Sequence, residues 1–282
     1  MCDQDHFEED VKKYSRRNLG ALAAAGVGAA VMLPSVANAL DVSEDDVEIT
    51  TPDGTCDAYF VAPSGGSHAG VLIWPDIFGL RPAFRQMGKR LAESGYSVLV
   101  VNPFYRSQRA PTASKGANTP ISEVLPIRRT LTPETDHTDA KAFVSWLDEQ
   151  KQVDTNRKLA TTGYCMGGPI VFRTAAARPD RIGAAATFHG GGLVGKAEDS
   201  PHLLIPKMKA QFLIAIAEND DQRDPEAKTT LKQSFADSNL SAEIEVYPAG
   251  HGWCPPDTRV HDQEQAEKAW GRMLALFEKA LG

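Results

Sequence analysis

The sequence predicts an α/β fold with a mainly parallel central sheet and helices on both faces. Two features predict it: short apolar segments that do not alternate with polar residues recur along the chain, and segments with helical spacing separate them. The chain has 282 residues, of which 42% are hydrophobic, so it can bury the core of one large domain. A formal net charge of −7 without a basic stripe argues against nucleic acid as a partner.

The N-terminal residues are predicted to be an export signal rather than part of the fold. Ser15–Leu19 is a twin-arginine pattern, an apolar run covers 19–33, and Ala37–Ala39 offers small residues for cleavage. The run is shorter than the roughly 20 residues that span a bilayer, so no stable membrane anchor is expected after cleavage. We predict a signal at 1–39, a mature domain at 40–282, the twin-arginine export machinery as a partner, and a periplasmic or exported location in soluble form.

The first elements of the mature chain are predicted to be a hairpin and two buried strands with a helix between them. The hairpin alternates in polarity on either side of the turn signal Pro52–Gly54, and Gly95 is expected to end the helix. In chain order these elements are the hairpin at 47–62, the strand at 69–74, the helix at 84–92 and the strand at 97–101. Residues 102–133 are rich in proline and are predicted to form a long loop over the site, since loops of this length are uncommon unless functional.

The second half of the chain alternates strand and helix regularly, which favours parallel strands covered on both faces. The predicted strands lie at 158–162, 182–188, 210–216 and 242–247. The predicted helices lie around 143–147 and at 169–177, 228–235 and 266–277. No internal repeat and no linker composition divides this part, so we predict one domain.

The segment Gly163–Gly168, with the sequence GYCMGG, lies between a predicted strand and a predicted helix. This is the context in which G-x-S-x-G forms a nucleophile elbow, and Cys165 occupies the nucleophile position. A side chain at Gly163 or Gly167 would collide with the neighbouring strand or helix. The N-terminus of the helix would favour the thiolate form of Cys165. The alternative is a buried structural cysteine beside a glycine turn.

Two further polar residues, Asp220 and His251, each follow a predicted strand. Functional sites in open α/β sheets form at the C-terminal ends of strands, and the order nucleophile, acid, histidine is that of α/β-hydrolases. A neutral His251 can take the thiol proton of Cys165, and a carboxylate on its other nitrogen fixes the tautomer. We therefore predict a triad of Cys165, Asp220 and His251, with Asp221 and Glu218 as alternatives for the acid.

These residues resemble the dienelactone hydrolase family, the cysteine members of the α/β-hydrolase fold. The resemblance covers nearly all of the mature chain, and its carriers are the segments Gly163–Gly168, Asp76–Leu80, Ala217–Asp220 and Ala249–Gly252. It implies hydrolysis of small-molecule esters or lactones through an acyl-enzyme, without a cofactor. It also implies an oxyanion hole made by the backbone N–H groups of Met166 and Ile77. The histidines show no spacing typical of metal ligands, so no metal is predicted.

The same resemblance assigns Asp76 and Arg106 to substrate binding or thiol control. The family usually carries a glutamate at the position of Asp76, whose carboxylate helps to control the thiol, and aspartate is one methylene shorter. Family members bind a substrate carboxylate with arginines, and Arg106 lies near one such position. A solvated loop charge is the alternative for Arg106. No arginine follows His251 where the second would fall, so the resemblance predicts the reaction class better than the dienelactone substrate.

Removal of the signal would leave Cys56, Cys165 and Cys254, and an odd number argues against a disulfide framework. Cys56 and Cys254 either pair with one another or remain thiols. We interpret His189–Gly192 as a glycine-rich loop that borders the site, with His189 in a structural role. The alternatives to a hydrolase are a non-catalytic binding protein and a redox-thiol protein on the same fold.

Overall fold

The computed structural model describes residues 8–14 and 33–282. The twin-arginine pattern Ser15–Leu19 and nearly all of the apolar run at 19–33 lie outside the described residues. Within the described residues, no helix is long and apolar enough to cross a membrane. Residues 8–14 form a first helix, α1.

The centre of the molecule is one sheet of eight strands. The strands are β1 (Val42–Thr51), β2 (Gly54–Pro63), β3 (Gly70–Trp74), β4 (Ser97–Val101), β5 (Leu159–Tyr164), β6 (Ile182–Phe188), β7 (Gln211–Ala217) and β8 (Ala242–Tyr247). They are ordered β1-β2-β4-β3-β5-β6-β7-β8. The six strands from β4 to β8 in this order are parallel, and the hairpin β1–β2 joins β4 in antiparallel fashion. The predicted mainly parallel sheet with an edge hairpin is therefore confirmed.

Seven further α-helices surround this sheet in the described part of the chain. They are α2 (Pro82–Glu93), α3 (Ile121–Arg128), α4 (Pro133–Asp148), α5 (Gly167–Ala177), α6 (Glu218–Arg223), α7 (Ala227–Asp237) and α8 (Gln263–Ala280). Short 3₁₀ turns cover Gly116–Asn118 and Pro201–Lys207.

The sheet is covered on both faces, as predicted, because its strands are apolar on both sides. In β3, Leu72 and Trp74 belong to one buried cluster, whereas Val71 and Ile73 belong to another. Helices α4, α5 and α7 bury apolar side chains in the first cluster, and α2 and α8 bury theirs in the second. Alternation of side chains along a strand explains this division.

Besides α1, two helices were not predicted from the sequence. Helix α3 lies inside the stretch 102–133, where it buries Ile121 and Val124 but is only eight residues long, too short for a clear helical repeat. Helix α6 has the sequence ENDDQR and shows no apolar periodicity, yet its three acidic residues suit the positive N-terminal end of a helix. The prediction of an uninterrupted loop at 102–133 is therefore wrong, and Asp220 lies on a short helix.

Candidate active site

The elbow is formed where β5 ends and α5 begins. Cys165 lies between them with φ of 53°, a left-handed conformation that is sparsely populated by residues with a side chain. The residue is 5% exposed. Its backbone N–H donates to the carbonyl of Phe188 and to Nδ1 of His189, each at 3.1 Å. These two bonds anchor the backbone of Cys165 to the C-terminal end of the neighbouring strand β6.

Close backbone approach explains the two glycines on either side of Cys165. A Cβ on Gly163 would lie 2.4 Å from the carbonyl oxygen of Gly167, and a Cβ on Gly167 would lie 2.5 Å from the carbonyl oxygen of Trp74. Both contacts are to backbone atoms, which cannot move without displacing a strand or a helix. Strand β5 and helix α5 can meet at this sharp angle only because both positions lack a side chain.

Asp220 and His251 come together at the ends of β7 and β8. Nδ1 of His251 and Oδ2 of Asp220 are 2.6 Å apart, a short bond between an imidazole and a carboxylate. The His251 and Asp220 side chains are 17% and 20% exposed, respectively. Nη1 of Arg223 lies 3.6 Å from the other oxygen of Asp220 and supplies a positive charge on the side away from His251.

Two hydrogen bonds tie the loop that carries His251 to helix α6. The His251 N–H donates to Oδ1 of Asn219 at 2.9 Å, and the Glu218 N–H donates to the carbonyl of Ala249 at 3.0 Å. Asn219 is 4% exposed, so its amide is held in place by packing. The acid and the histidine are therefore positioned by one small, rigid unit.

The two alternative acids have other partners. Asp221 accepts two bonds from Nζ of Lys228, at 2.7 and 2.8 Å. Glu218 accepts a bond from the hydroxyl of Tyr14 at 2.9 Å. Of the three acidic residues, Asp220 is the one that the structure places against His251.

A cavity of about 300 Å³ lies over the C-terminal ends of the parallel strands. It is lined by the predicted site residues Cys165, Asp220, His251, Ile77 and Asp76, and by His189. Phe78, Leu193 and Val194 add apolar walls, and Ile121 of α3 contributes from the stretch that we predicted to cover the site. Residues from five different strand ends thus converge on one crevice, as expected for an open α/β sheet.

Asp76 is held in a buried ion-pair network that sequence analysis missed. Its two oxygens accept bonds from Nη1 and Nη2 of Arg81, at 2.6 and 2.9 Å, and Oδ1 also accepts the N–H of Phe78 at 2.9 Å. Arg81 also donates to both oxygens of Asp257, at 2.7 and 2.9 Å. Asp76 and Arg81 are 4% and 3% exposed, so each charge depends on the other.

Arg106 does not line the cavity. Its guanidinium binds both oxygens of Asp139 at 2.7 Å and Oδ2 of Asp53 at 2.5 Å. Asp139 is 1% exposed and also accepts a bond from the hydroxyl of Tyr105 at 2.7 Å. The placement of Arg106 at the substrate is therefore corrected: the guanidinium is needed to compensate a buried carboxylate on α4.

Helix α1 docks beside the acid, which the sequence did not indicate. Oδ2 of Asp10 accepts bonds from Nδ2 of Asn219 at 2.7 Å and from Nη2 of Arg223 at 2.9 Å. Tyr14 is 3% exposed, and its ring lies over Gly250, where a Cβ would be 2.5 Å from Cδ2 of Tyr14. Asp10 also lines the cavity. The described N-terminal helix thus covers the surface that carries Asp220 and His251.

Cys56 and Cys254 remain thiols that lie in different buried clusters. Cys56 donates through Sγ to the carbonyl of Asn102 at 3.4 Å, and burial raises the pKa of its thiol well above the ordinary value. Burial also raises the pKa of the Cys254 thiol. Cys254 does not line the cavity that contains Cys165. Within the described residues no group of three or more potential ligands could hold a metal ion.

This architecture is shared by proteins of known structure. The crystal structure of a protein from Klebsiella pneumoniae subsp. pneumoniae MGH 78578, assigned as a dienelactone hydrolase, matches with a TM-score of 0.75 and 25% identity, covering 85% of this chain and 99% of that chain. The sheet order, the elbow and the strand-end cavity define the chain as an α/β-hydrolase fold.

The family follows from the sequence comparison. The model of the dienelactone hydrolase family matches residues 56–281, and the chain belongs to this family, which confirms the resemblance of its motifs. Carboxymethylenebutenolidase 1 of Cupriavidus pinatubonensis is 26% identical over 236 residues, covering 83% of this chain and 96% of that protein. The carboxymethylenebutenolidase of Rhodococcus opacus is 27% identical over 220 residues, covering 77% of this chain and 83% of that protein. The chain is thus a hydrolase of this family.

Proposed function

We propose that the protein hydrolyses small esters or lactones through an acyl-enzyme on Cys165. The observation that carries the proposal is the 2.6 Å bond between Asp220 and Nδ1 of His251 at the wall of the cavity that also contains Cys165. With Nδ1 engaged by the carboxylate, Nε2 is the ring nitrogen that exchanges a proton with the thiol. Family membership, with relatives named carboxymethylenebutenolidase, supports the same reaction class.

In the first half of the reaction, Nε2 of His251 takes the thiol proton and Sγ of Cys165 attacks the substrate carbonyl carbon. The carbonyl π electrons move to oxygen, and the N–H groups of Met166 and Ile77 bind the resulting oxyanion. Collapse of this intermediate breaks the bond to the leaving alkoxide, which receives the proton from His251. The product is a thioester on Cys165 and an alcohol, which in a lactone stays attached to the acyl group.

In the second half, water enters the cavity and gives a proton to Nε2 of His251 while its oxygen attacks the thioester carbon. The second oxyanion is bound by the same two N–H groups. Its collapse releases the carboxylic acid and returns the proton to the sulfur. Asp220 stays ionised throughout and stabilises the imidazolium of His251 in both halves.

Asp76 has a role in this scheme that does not need contact with the sulfur. Its carboxylate is paired with Arg81 and accepts the N–H of Phe78, so it fixes the loop in which Ile77 lies between them. We infer that the Asp76–Arg81 pair orders the N–H of Ile77 for the oxyanion. The dimensions of the cavity, about 300 Å³, fit a small substrate.

The experiment is hydrolysis of an aryl acetate by the wild-type protein and by the Cys165→Ala variant, with circular dichroism as a control for the fold. We expect turnover to be lost in the variant, and unchanged turnover would refute the assignment. Iodoacetamide near neutral pH, followed by peptide mapping, should label Cys165 once per chain. Cys56 and Cys254 serve as internal controls, because burial raises the pKa of both thiols.

We also propose that the protein is exported by the twin-arginine route and cleaved after Ala39. The residues 37–40 are all exposed, so a signal peptidase can reach the predicted cleavage site. The test is N-terminal sequencing of the protein from the periplasmic fraction, together with a variant in which both arginines of the pattern are replaced by lysine. Retention of the variant in the cytoplasm is expected, and its normal export would contradict the proposal.

A further inference from the structure

His189 lies at the end of β6, directly beneath the elbow. Its side chain is fully buried, and its backbone has φ of 43°, a second left-handed residue next to Cys165 in space. The His189 N–H donates to the carbonyl of Ala215 at 2.8 Å, which anchors the residue to β7. The backbone of His189 is therefore held by β7, and its side chain is enclosed by the residues packed around it.

The ring of His189 contacts the backbone of the nucleophile. Nδ1 accepts the N–H of Cys165 at 3.1 Å, so the neutral ring must carry its proton on Nε2. Burial, and secondly the neighbouring His251, hold the pKa of His189 well below its usual value. The ring is therefore neutral at neutral pH, and Nδ1 is then a hydrogen-bond acceptor.

The same ring also packs against the general base. Its centroid lies 5.1 Å from that of His251, with an interplanar angle of 61°, and 5.0 Å from that of Trp253, with an angle of 70°. Nε2 of His189 is buried and has no hydrogen-bond partner among the described residues. A buried polar atom without a partner costs free energy, so this atom does not stabilise the fold.

We propose that His189 is a positioning residue of the hydrolytic site: its Nδ1 holds the peptide of Cys165 in the left-handed conformation and thereby directs the N–H of Met166 towards the oxyanion. This inference rests on the proposed function. The ψ angle of Cys165 sets the direction of the N–H of Met166. On the other side of Cys165, its own N–H is shared between the carbonyl of Phe188 and Nδ1 of His189, and the side-chain bond adds to the backbone bond in fixing the peptide.

The test compares three substitutions of His189 in the full chain. Asparagine places Oδ1 as many bonds from Cα as Nδ1 of histidine, and it tolerates a left-handed backbone. Glycine tolerates the backbone but has no acceptor, and phenylalanine retains a ring but has no acceptor. We expect kcat for an aryl acetate to stay within about threefold in His189→Asn and to fall about tenfold in His189→Gly and His189→Phe, with KM changed less than about twofold.

Rates are expressed per Cys165 thiol, identified by peptide mapping after iodoacetamide labelling because the full chain has four cysteines. Circular dichroism checks the fold of each variant, so that misfolding does not imitate a catalytic loss. Wild-type kcat in His189→Gly or His189→Phe would overturn the proposal, and so would a His189→Asn variant as slow as His189→Gly. Cys165→Ala is measured in parallel. An active Cys165→Ala variant refutes the proposed function and this inference together, whereas an inactive one beside an unimpaired His189→Gly variant refutes the role of His189 alone.

Discussion

The assignment of Asp220 as the acid predicts a specific loss in the Asp220→Asn variant. An ion pair between a carboxylate and an imidazolium at about 4 Å contributes about 4 kcal/mol at an effective dielectric constant of 20. Arg223, at 3.6 Å, already neutralises part of the carboxylate, and the Asp220 and His251 side chains are 20% and 17% exposed. These two effects reduce the contribution to about 3 kcal/mol, which corresponds to a loss of roughly a hundredfold in kcat.

The neighbouring residue on the same helix provides a matched control for this loss. Asp221→Asn makes the same change in charge, but Asp221 is bound to Lys228 rather than to His251. We expect its kcat for an aryl acetate to stay within about threefold of wild type. Steady-state kinetics, with circular dichroism for the fold, measure both variants. An Asp220→Asn variant of unimpaired kcat, or an equal loss in Asp221→Asn, would refute the reasoning.

Three further predictions concern stability and the N-terminal helix. Gly167→Ala brings a Cβ to 2.5 Å from a backbone oxygen and is expected to reduce the free energy of unfolding by about 3 kcal/mol, measured by denaturant titration. Burial raises the pKa of Asp136 to about 6 despite its bond to Arg173, so wild type should lose about 2 kcal/mol of stability relative to Asp136→Asn as the pH rises from about 4 to 6.5. Asp10→Ala should accelerate amide hydrogen exchange in residues 8–14 of the full chain, because the carboxylate bound by Asn219 and Arg223 is gone.

Each of these predictions has a control. Gly191→Ala places its Cβ in open space and should cost less than about 1 kcal/mol. For Asp136, the unfolded carboxyl binds fewer protons than the folded one between the two pKa values, so stability must fall with rising pH; a difference that stays constant or grows in favour of wild type would contradict the burial argument. Glu9→Gln changes an exposed neighbour of Asp10 and should leave the exchange of residues 8–14 unaltered.

The parts of the site that sequence analysis predicted depend on local patterns. The elbow at Cys165 is predicted from glycines within three residues of it. Asp220 and His251 each follow a predicted strand, which is why they were expected at the same edge of the sheet. The dienelactone hydrolase resemblance added Ile77 and Met166 through short motifs. All of these residues are next to a secondary-structure element that has a clear signal of its own.

The parts that sequence analysis missed depend on contacts between distant positions. Arg81 binds Asp257, which is 176 positions away, and no spacing rule relates the two. Arg106 lies near a position where family members bind a substrate carboxylate. Its actual partner, Asp139 of α4, is recognisable only in the folded structure. His189 offered a glycine-rich context and no further signal, because the acceptor role of its ring depends on the fold of the elbow.

The docking of α1 would distinguish the precursor from the processed form of the protein. Asp10 and Tyr14 belong to the segment that export would remove, and they cover Asn219, Arg223 and Gly250 next to the acid. In the precursor, Asp10 would pair with Arg223 on this side of the cavity. In the processed form, the Arg223 guanidinium would lack this carboxylate. The two forms would then differ in charge beside the acid of the proposed triad.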